Sequence, residues 1–166
     1  KLYIYPFVKA SFRVNPPALK TNVKEYMSAI LDTFFEPIDF SNQALVNSSF
    51  LLDRVTDYIF YLNYSEDATT QQILYKSAVE TVFTKIENAI FKKNVIEFLI
   101  EKFEENNNLR MIDFLFENYY DALPTSLQNA KFKSEKVKLL ATAIGRIAPD
   151  FSWKEQGKDF QLSNLN

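Results

Sequence analysis

The sequence predicts an all-α fold of about six helices, packed as an antiparallel bundle or as irregular helical hairpins, with a short C-terminal β-hairpin-like extension. Three observations lead to this prediction. The 166 residues include only two glycines, whereas a β-rich fold needs many tight turns with positive φ. Apolar residues recur at helical spacing along most of the chain. The connections between these segments are short, which favours antiparallel neighbours.

The N-terminal elements are delimited by prolines. Residues 3–14 are mostly apolar, and Pro6 fits either the first turn of a short helix or an extended segment. The first clear helix begins near Thr21 or Asn22, because either side chain can cap a helix N-terminus, and Pro37 ends it. The apolar positions of this helix follow the spacing of one helix face, and they are Val23, Tyr26, Met27, Ile30, Leu31 and Phe34.

Five further helices follow along the chain. Ser48 or Ser49 can cap the next one, and another begins at about Ala68 after a loop. A helix covers roughly residues 92–105, and Gly145 stands where the C-terminus of the last helix favours glycine. Because isolated helices of this length are marginal, their apolar stripes need one another for burial. The apolar positions of the five helices span residues 51–62, 75–86, 96–103, 112–119 and 137–144.

The composition excludes several kinds of chemistry within the chain. It contains no cysteine and no histidine, and its net charge is −2. These counts exclude disulfides, Fe–S clusters, thiol chemistry, His-based metal sites and His general bases. The charge balance lacks the basic excess typical of nucleic-acid-binding proteins, and no apolar run reaches the roughly 20 residues of a membrane helix. We therefore predict no catalytic residue, no cofactor, no metal site and no nucleic-acid partner for these residues.

Two charged clusters are candidate binding sites. The acidic cluster suits a cation or a basic partner, and it consists of Glu97, Glu101, Glu104 and Glu105. The basic cluster suits an anionic partner or a lipid surface, and it consists of Lys131, Lys133, Lys136 and Lys138. For both clusters the alternative is a solvated helix face, which is the usual role of a charge run and which we favour.

Asp113 and Glu117 form a candidate carboxylate pair. They lie one helical turn apart, so both can face the same side of a helix. Paired carboxylates can divide acid and base roles if their environments differ. No catalytic motif accompanies this pair, so a structural role is the favoured interpretation.

Two aromatic doublets and two Asn-x-Ser patterns complete the candidates. The doublets, Phe34-Phe35 and Tyr119-Tyr120, suit a ligand or partner, although such residues more often cover the edge of a core. The Asn-x-Ser patterns begin at Asn47 and Asn63 and match glycosylation acceptors. They matter only in a secreted eukaryotic protein, and in an asparagine-rich chain they arise by chance.

Beyond residue 145 the pattern changes from helical period to alternation. Pro149 holds the residue before it in an extended conformation. Phe151 and Trp153 alternate with polar residues before a turn at residues 156–158, and apolar and polar residues alternate again after it. This pattern predicts a β-hairpin that begins a new fold unit.

The same C-terminal residues resemble the entry to a thioredoxin-like domain, in the version found in TlpA-like thiol–disulfide oxidoreductases and peroxiredoxins. The residues that carry this resemblance are Gly145, Ala148, Pro149, Asp150, Phe151, Gly157, Leu162 and Leu165. The helical part is similar to a helical region of unknown function in Bacteroidetes thioredoxin-like proteins. Its matching stretches lie at residues 35–41, 51–55, 98–104 and 117–120.

The resemblance implies a helical domain at residues 1–144, followed at 145–166 by a linker and the first residues of a truncated thioredoxin-like domain. The helical domain would be a non-catalytic accessory module that positions the redox domain or docks its substrate. The parent protein would be a thiol–disulfide oxidoreductase whose cysteines follow residue 166. The partners would be its own downstream domain and a protein redox substrate, in the periplasm or on an outer-membrane lipoprotein.

The aromatic content supports an alternative interpretation. Phenylalanine and tyrosine are abundant, with 16 and 9 residues, and grooves between aromatic-rich helices are typical binding sites for peptides. On this interpretation the chain is a stand-alone helical module that binds a protein, a peptide or an apolar ligand. The sequence leaves the oligomeric state open.

Overall fold

The computed structural model describes residues 3–12, 22–144, 146, 150–155 and 157–161. Within them the protein is 66% helical, with eight helices and one small two-stranded antiparallel sheet, which confirms the predicted all-α fold with a C-terminal hairpin. The first seven helices are α1 (Tyr5–Ser11), α2 (Val23–Thr33), α3 (Gln43–Val46), α4 (Ser49–Thr56), α5 (Ala68–Lys85), α6 (Ala89–Glu105) and α7 (Leu109–Leu115).

Two of these helices change their winding at the C-terminal end. Helix α4 continues into a first π segment at Asp57–Leu62, and α7 continues into a second π segment at Phe116–Tyr120. The elements that follow are helix α8 (Ala130–Ala141) and the strands β1 (Ser152–Glu155) and β2 (Lys158–Gln161).

The chain forms two compact units. The first comprises residues 1–127 with helices α1 to α7, and the second comprises residues 128–166 with α8 and the hairpin. The division into domains at residues 144 and 145 that the sequence suggests stays a prediction.

Helix α6 lies at the centre of the first unit. Its buried side chains recur at intervals of four, one and three residues and form one broad apolar face. They are at most 2% exposed, and they are Phe91, Val95, Ile96, Leu99, Ile100 and Phe103. Helix α7 and the second π segment both pack against α6. Because full burial of one such side chain contributes about 1.5–3 kcal/mol, this face supplies much of the driving force for folding the unit.

Asparagine and aspartate side chains start most of the helices. In each case the side-chain oxygen accepts a hydrogen bond from a backbone N–H of the first turn, which would otherwise lack a partner within the helix. The caps of α2, α3, α5, α6, α7 and α8 are Asn22, Asn42, Asp67, Asn88, Asn108 and Asn129. These caps fix where each helix begins, because the capping residue itself is not helical.

The structure differs from the predicted elements in several places, and the first two differences follow from the caps. Asn88 starts α6 at Ala89 rather than near residue 92, and Asn42 starts α3, which the sequence analysis does not predict. The last helix ends at Ala141, before the predicted Ile144. Near the N-terminus, where the sequence is compatible with a short helix or an extended segment, the structure has a short helix with Pro6 in its first turn.

The predicted apolar stripe of α2 is only partly buried. Val23 is 77% exposed and Tyr26 is 41% exposed, and none of the α2 residues is fully buried within the described part of the chain. The helix also ends at Thr33, before the predicted Phe34, and a turn leads from there to Pro37. Helical periodicity therefore identified this helix correctly but overstated how much of its apolar face the first unit covers.

A matched pair of isoleucines tests the central position of α6. Ile96 is fully buried, whereas Ile90 in the same helix is 62% exposed. We expect Ile96→Ala to lower the free energy of unfolding by about 2–5 kcal/mol, because it removes buried methyl groups and leaves a cavity. Ile90→Ala is expected to change it by less than about 0.5 kcal/mol. Urea denaturation measures both values, and equal losses for the two variants would contradict the central position of α6.

The cap of α5 gives a pH-dependent prediction. The Asp67 carboxylate accepts hydrogen bonds from the Thr70 hydroxyl (2.6 Å) and the Thr70 backbone N–H (2.7 Å). These two bonds lower the pKa of Asp67 in the folded protein. A carboxyl group with a lowered pKa in the folded state stabilises the protein at pH values above its unfolded-state pKa of about 3.9. This stabilisation is lost as the pH falls through the folded-state pKa.

We therefore expect the stability difference between the wild type and Asp67→Ala to shrink on acidification below about pH 4. Asp67→Asn keeps a capping oxygen without a titrating group. The difference in the free energy of unfolding between Asp67→Asn and Asp67→Ala should therefore be the same at pH 7 and at low pH. Urea denaturation at both pH values gives the two differences. A wild-type advantage over Asp67→Ala that does not change with pH would contradict this role of the carboxylate.

Candidate functional site

The first candidate site is the C-terminal hairpin, which has one aromatic face. Trp153 lies opposite Phe160 across the two strands, and their rings stack with centroids 5.5 Å apart and an interplanar angle of 18°. The Phe151 ring approaches Trp153 at 5.6 Å. Phe151 is 58% exposed, and the other two rings are half-buried. Cross-strand aromatic pairs of this kind are the main stabilising contacts of a small sheet.

The opposite face of the hairpin is polar. Lys154 and Asp159 are cross-strand partners whose side chains form an exposed ion pair at 3.4 Å. At the open end of the hairpin, the Gln161 side-chain amide donates a hydrogen bond to the Asp150 carboxylate. Since alternate residues of a strand point to opposite faces, Trp153 and Phe160 share one face with the charged pair Glu155 and Lys158 beside the turn. The hairpin is therefore amphipathic at its open end, and both of its faces are charged near the turn.

Three of the eight signature residues lie in the described part of the chain. Asp150 holds the open end of the hairpin through Gln161, and Phe151 extends its aromatic face. Gly157 forms the turn with a φ of +79°, a conformation that glycine adopts without strain. No described atom would contact a Cβ at this position, so the backbone conformation alone favours glycine there. The other five lie outside the described residues: Gly145, Ala148, Pro149, Leu162 and Leu165.

The second candidate site is a groove in the first unit between α1, α3 and the turn that precedes α3. Its volume is about 580 Å³, within the usual range for ligand sites. Apolar groups form most of its wall, and polar groups come from Lys9, Asp39 and Asn42. The residues that line this groove, called the α1–α3 groove below, are Tyr5, Pro6, Lys9, Pro37, Asp39, Asn42 and Leu45.

Charges of both signs line the α1–α3 groove. Asp39 accepts hydrogen bonds from the Ser41 hydroxyl (2.6 Å) and the Ser41 backbone N–H (2.9 Å). These bonds, together with the positive charge of Lys9, lower the pKa of the Asp39 carboxyl. The groove therefore combines an apolar wall with an ionised carboxylate and an ammonium group.

Sequence analysis did not identify the α1–α3 groove. Its residues range from position 5 to position 45 and come from three separate elements. Only the packing of α1 against α3 brings them together. No local motif marks such a site.

Two glutamates of the acidic cluster form ion pairs with lysines of the same helix, α6. Glu97 pairs with Lys93 at 2.7 Å, and Glu105 pairs with Lys102 at 2.8 Å. Glu101 is exposed. In the described part of the chain, no group of three or more acidic, histidine or cysteine side chains is arranged to hold a metal ion.

The basic cluster on α8 is divided between two sides of the helix. Lys133 and Lys136 lie seven and four residues before the buried Leu140, so they share its side of the helix, and both are half-buried. Lys131 and Lys138 lie seven residues apart on the opposite side. The four lysines therefore do not form one surface patch for an anionic partner.

The carboxylate pair loses the geometry that the sequence suggested. Asp113 is half-buried in α7, whereas Glu117 is exposed in the second π segment. The winding changes at Phe116, between the two residues, so their spacing no longer corresponds to one α-helical turn.

Both aromatic doublets belong to the core of the first unit. Phe35 is buried and its ring lies 4.6 Å from that of Tyr58, with Phe34 alongside at 5.4 Å from the same ring. Tyr120 is fully buried, and its hydroxyl lies 3.4 Å from the Glu97 carboxylate. The doublets are thus explained by packing.

The Asn-x-Ser patterns differ in accessibility. The Asn63 side-chain amide is buried and donates a hydrogen bond of 2.7 Å to the carbonyl of Tyr58. Asn63 therefore closes the first π segment, and a glycan on its amide nitrogen is incompatible with this contact. Asn47 is exposed at the end of α3.

The chain was also compared with known proteins. No family model, no curated protein and no solved structure matches it. Within the described residues, no helix is long and apolar enough to cross a membrane. The functional assignment therefore rests on the residues and the geometry given above.

The single tryptophan allows a direct test of the aromatic face of the hairpin. Trp153 is the only tryptophan of the chain, so its fluorescence reports on the hairpin alone. We expect Phe160→Ala to shift the emission to longer wavelength and to increase quenching by acrylamide, because the ring that covers the indole is lost. Asp159→Ala on the opposite face is the control. It should leave the emission wavelength and the acrylamide quenching unchanged, since exposed ion pairs contribute little to stability. An unchanged emission in Phe160→Ala would contradict the stacked pair.

Proposed function

We propose that this chain is a non-catalytic helical accessory module of an exported thioredoxin-like thiol–disulfide oxidoreductase, which positions the redox domain or docks its protein substrate. The hairpin at residues 152–161, with the rings of Phe151, Trp153 and Phe160 in contact, is the observation that supports it. An isolated two-stranded hairpin is marginal in water. An aromatic face on such a hairpin is therefore better explained if the two strands begin a larger sheet, and the signature residues match the entry to a thioredoxin-like domain.

The proposed parent enzyme would carry its chemistry outside these residues. In thiol–disulfide exchange, a cysteine thiolate attacks one sulfur of a disulfide and releases the other as a thiolate, which leaves a mixed disulfide. A second thiolate resolves that intermediate. The 166 residues contain no cysteine, so on this proposal they contribute binding surfaces and orientation only. A location in the periplasm or on an outer-membrane lipoprotein belongs to the same proposal and depends on the resemblance.

The first unit offers two exposed tyrosines, three residues apart in the chain, that suit substrate docking. Tyr61 is 72% exposed and Tyr64 is 66% exposed. The loop that carries Tyr64 is held by Gln71, whose side chain donates to the Asn63 carbonyl (2.9 Å) and accepts from the Ser65 N–H (2.6 Å). Tyrosine is enriched at protein interfaces because it supplies a large contact area with little loss of side-chain entropy.

The redox proposal is tested on the intact gene product. We expect its sequence to contain a Cys-x-x-Cys motif, or a single reactive cysteine, after residue 166 at thioredoxin-like spacing. The intact protein should accelerate insulin reduction by dithiothreitol, and a Cys→Ser variant of the first such cysteine should not. Residues 1–166 alone should give only the background rate. Absence of the cysteine, or clear activity of residues 1–166, would contradict the proposal.

The same assay examines docking. A double variant Tyr61→Ala/Tyr64→Ala of the intact protein should raise the KM for insulin and leave the rate with a small aromatic disulfide unchanged, because only a protein substrate reaches both rings. Tyr3→Ala is the matched control, since Tyr3 is also exposed, at 78%. Equal effects on both substrates would instead indicate that the tyrosines affect folding or the orientation of the redox domain.

A second candidate function is the binding of a small amphipathic ligand in the α1–α3 groove. The groove has the features of a ligand site: an apolar wall, a buried base and a few polar groups. Leu45 is 1% exposed and forms the base, while Tyr5 is 62% exposed at the rim. Lys9 supplies a positive charge for an anionic group on the ligand. This function is compatible with a stand-alone binding module.

Fluorescence titration with 1-anilinonaphthalene-8-sulfonate tests the groove, since this probe combines an apolar body with one negative charge. We expect saturable binding that Tyr5→Ala weakens by about fivefold, the ratio for an aromatic contact of about 1 kcal/mol. Tyr61→Ala is the control, because Tyr61 is also exposed, at 72%, but is not among the residues that line the groove. Non-saturable binding, or equal weakening by both variants, would contradict a ligand site between α1 and α3.

A further inference from the structure

We draw no further inference here: the strongest candidate, the exposed apolar patch that Ile4, Val8 and Phe12 form on and beside α1, carries nothing because no described feature of the structure shows what covers it.

Discussion

The need to keep one broad face of α6 away from water determines how the first unit is built. Helix α7 and the second π segment cover part of that face. At the C-terminal end of α6, the Phe103 ring meets Phe60 and Tyr75, each at a centroid distance of 5.1 Å. These two rings come from the first π segment and from α5. Four elements of the unit therefore owe their positions to contacts with a single helix, and aromatic rings supply several of those contacts.

The π segments serve the same packing. A π-helical turn contains more residues than an α-helical turn, which changes the direction in which successive side chains point. In the first segment this brings Tyr58 against Phe35, while Phe60 faces α5 and α6. In the second it brings Phe116 and Tyr120 to 5.3 Å from one another, both buried. Burial raises the pKa of Tyr58 above its ordinary value, as expected for a phenol held in an apolar environment.

Local patterns explain what the sequence could predict. Periodicity located the longer helices, and Asn22 was one of the two residues predicted to cap α2. Alternation with Gly157 at the turn identified the hairpin. The four residues of α3 are too few to show a helical period, and the same apolar spacing is compatible with α-helical or π-helical winding. The α1–α3 groove and the division of the α8 lysines depend on contacts and helix boundaries that no local pattern specifies.

The central claim is that the hairpin begins a larger sheet, and amide hydrogen exchange tests it most directly. Each strand of a two-stranded hairpin has one edge whose N–H groups face solvent, and pairing with a further strand gives them partners. The account predicts that outward-facing amides within residues 152–161 exchange rapidly in residues 1–166 alone and become strongly protected in the intact gene product. Equal exchange rates at these amides in the two proteins would contradict it.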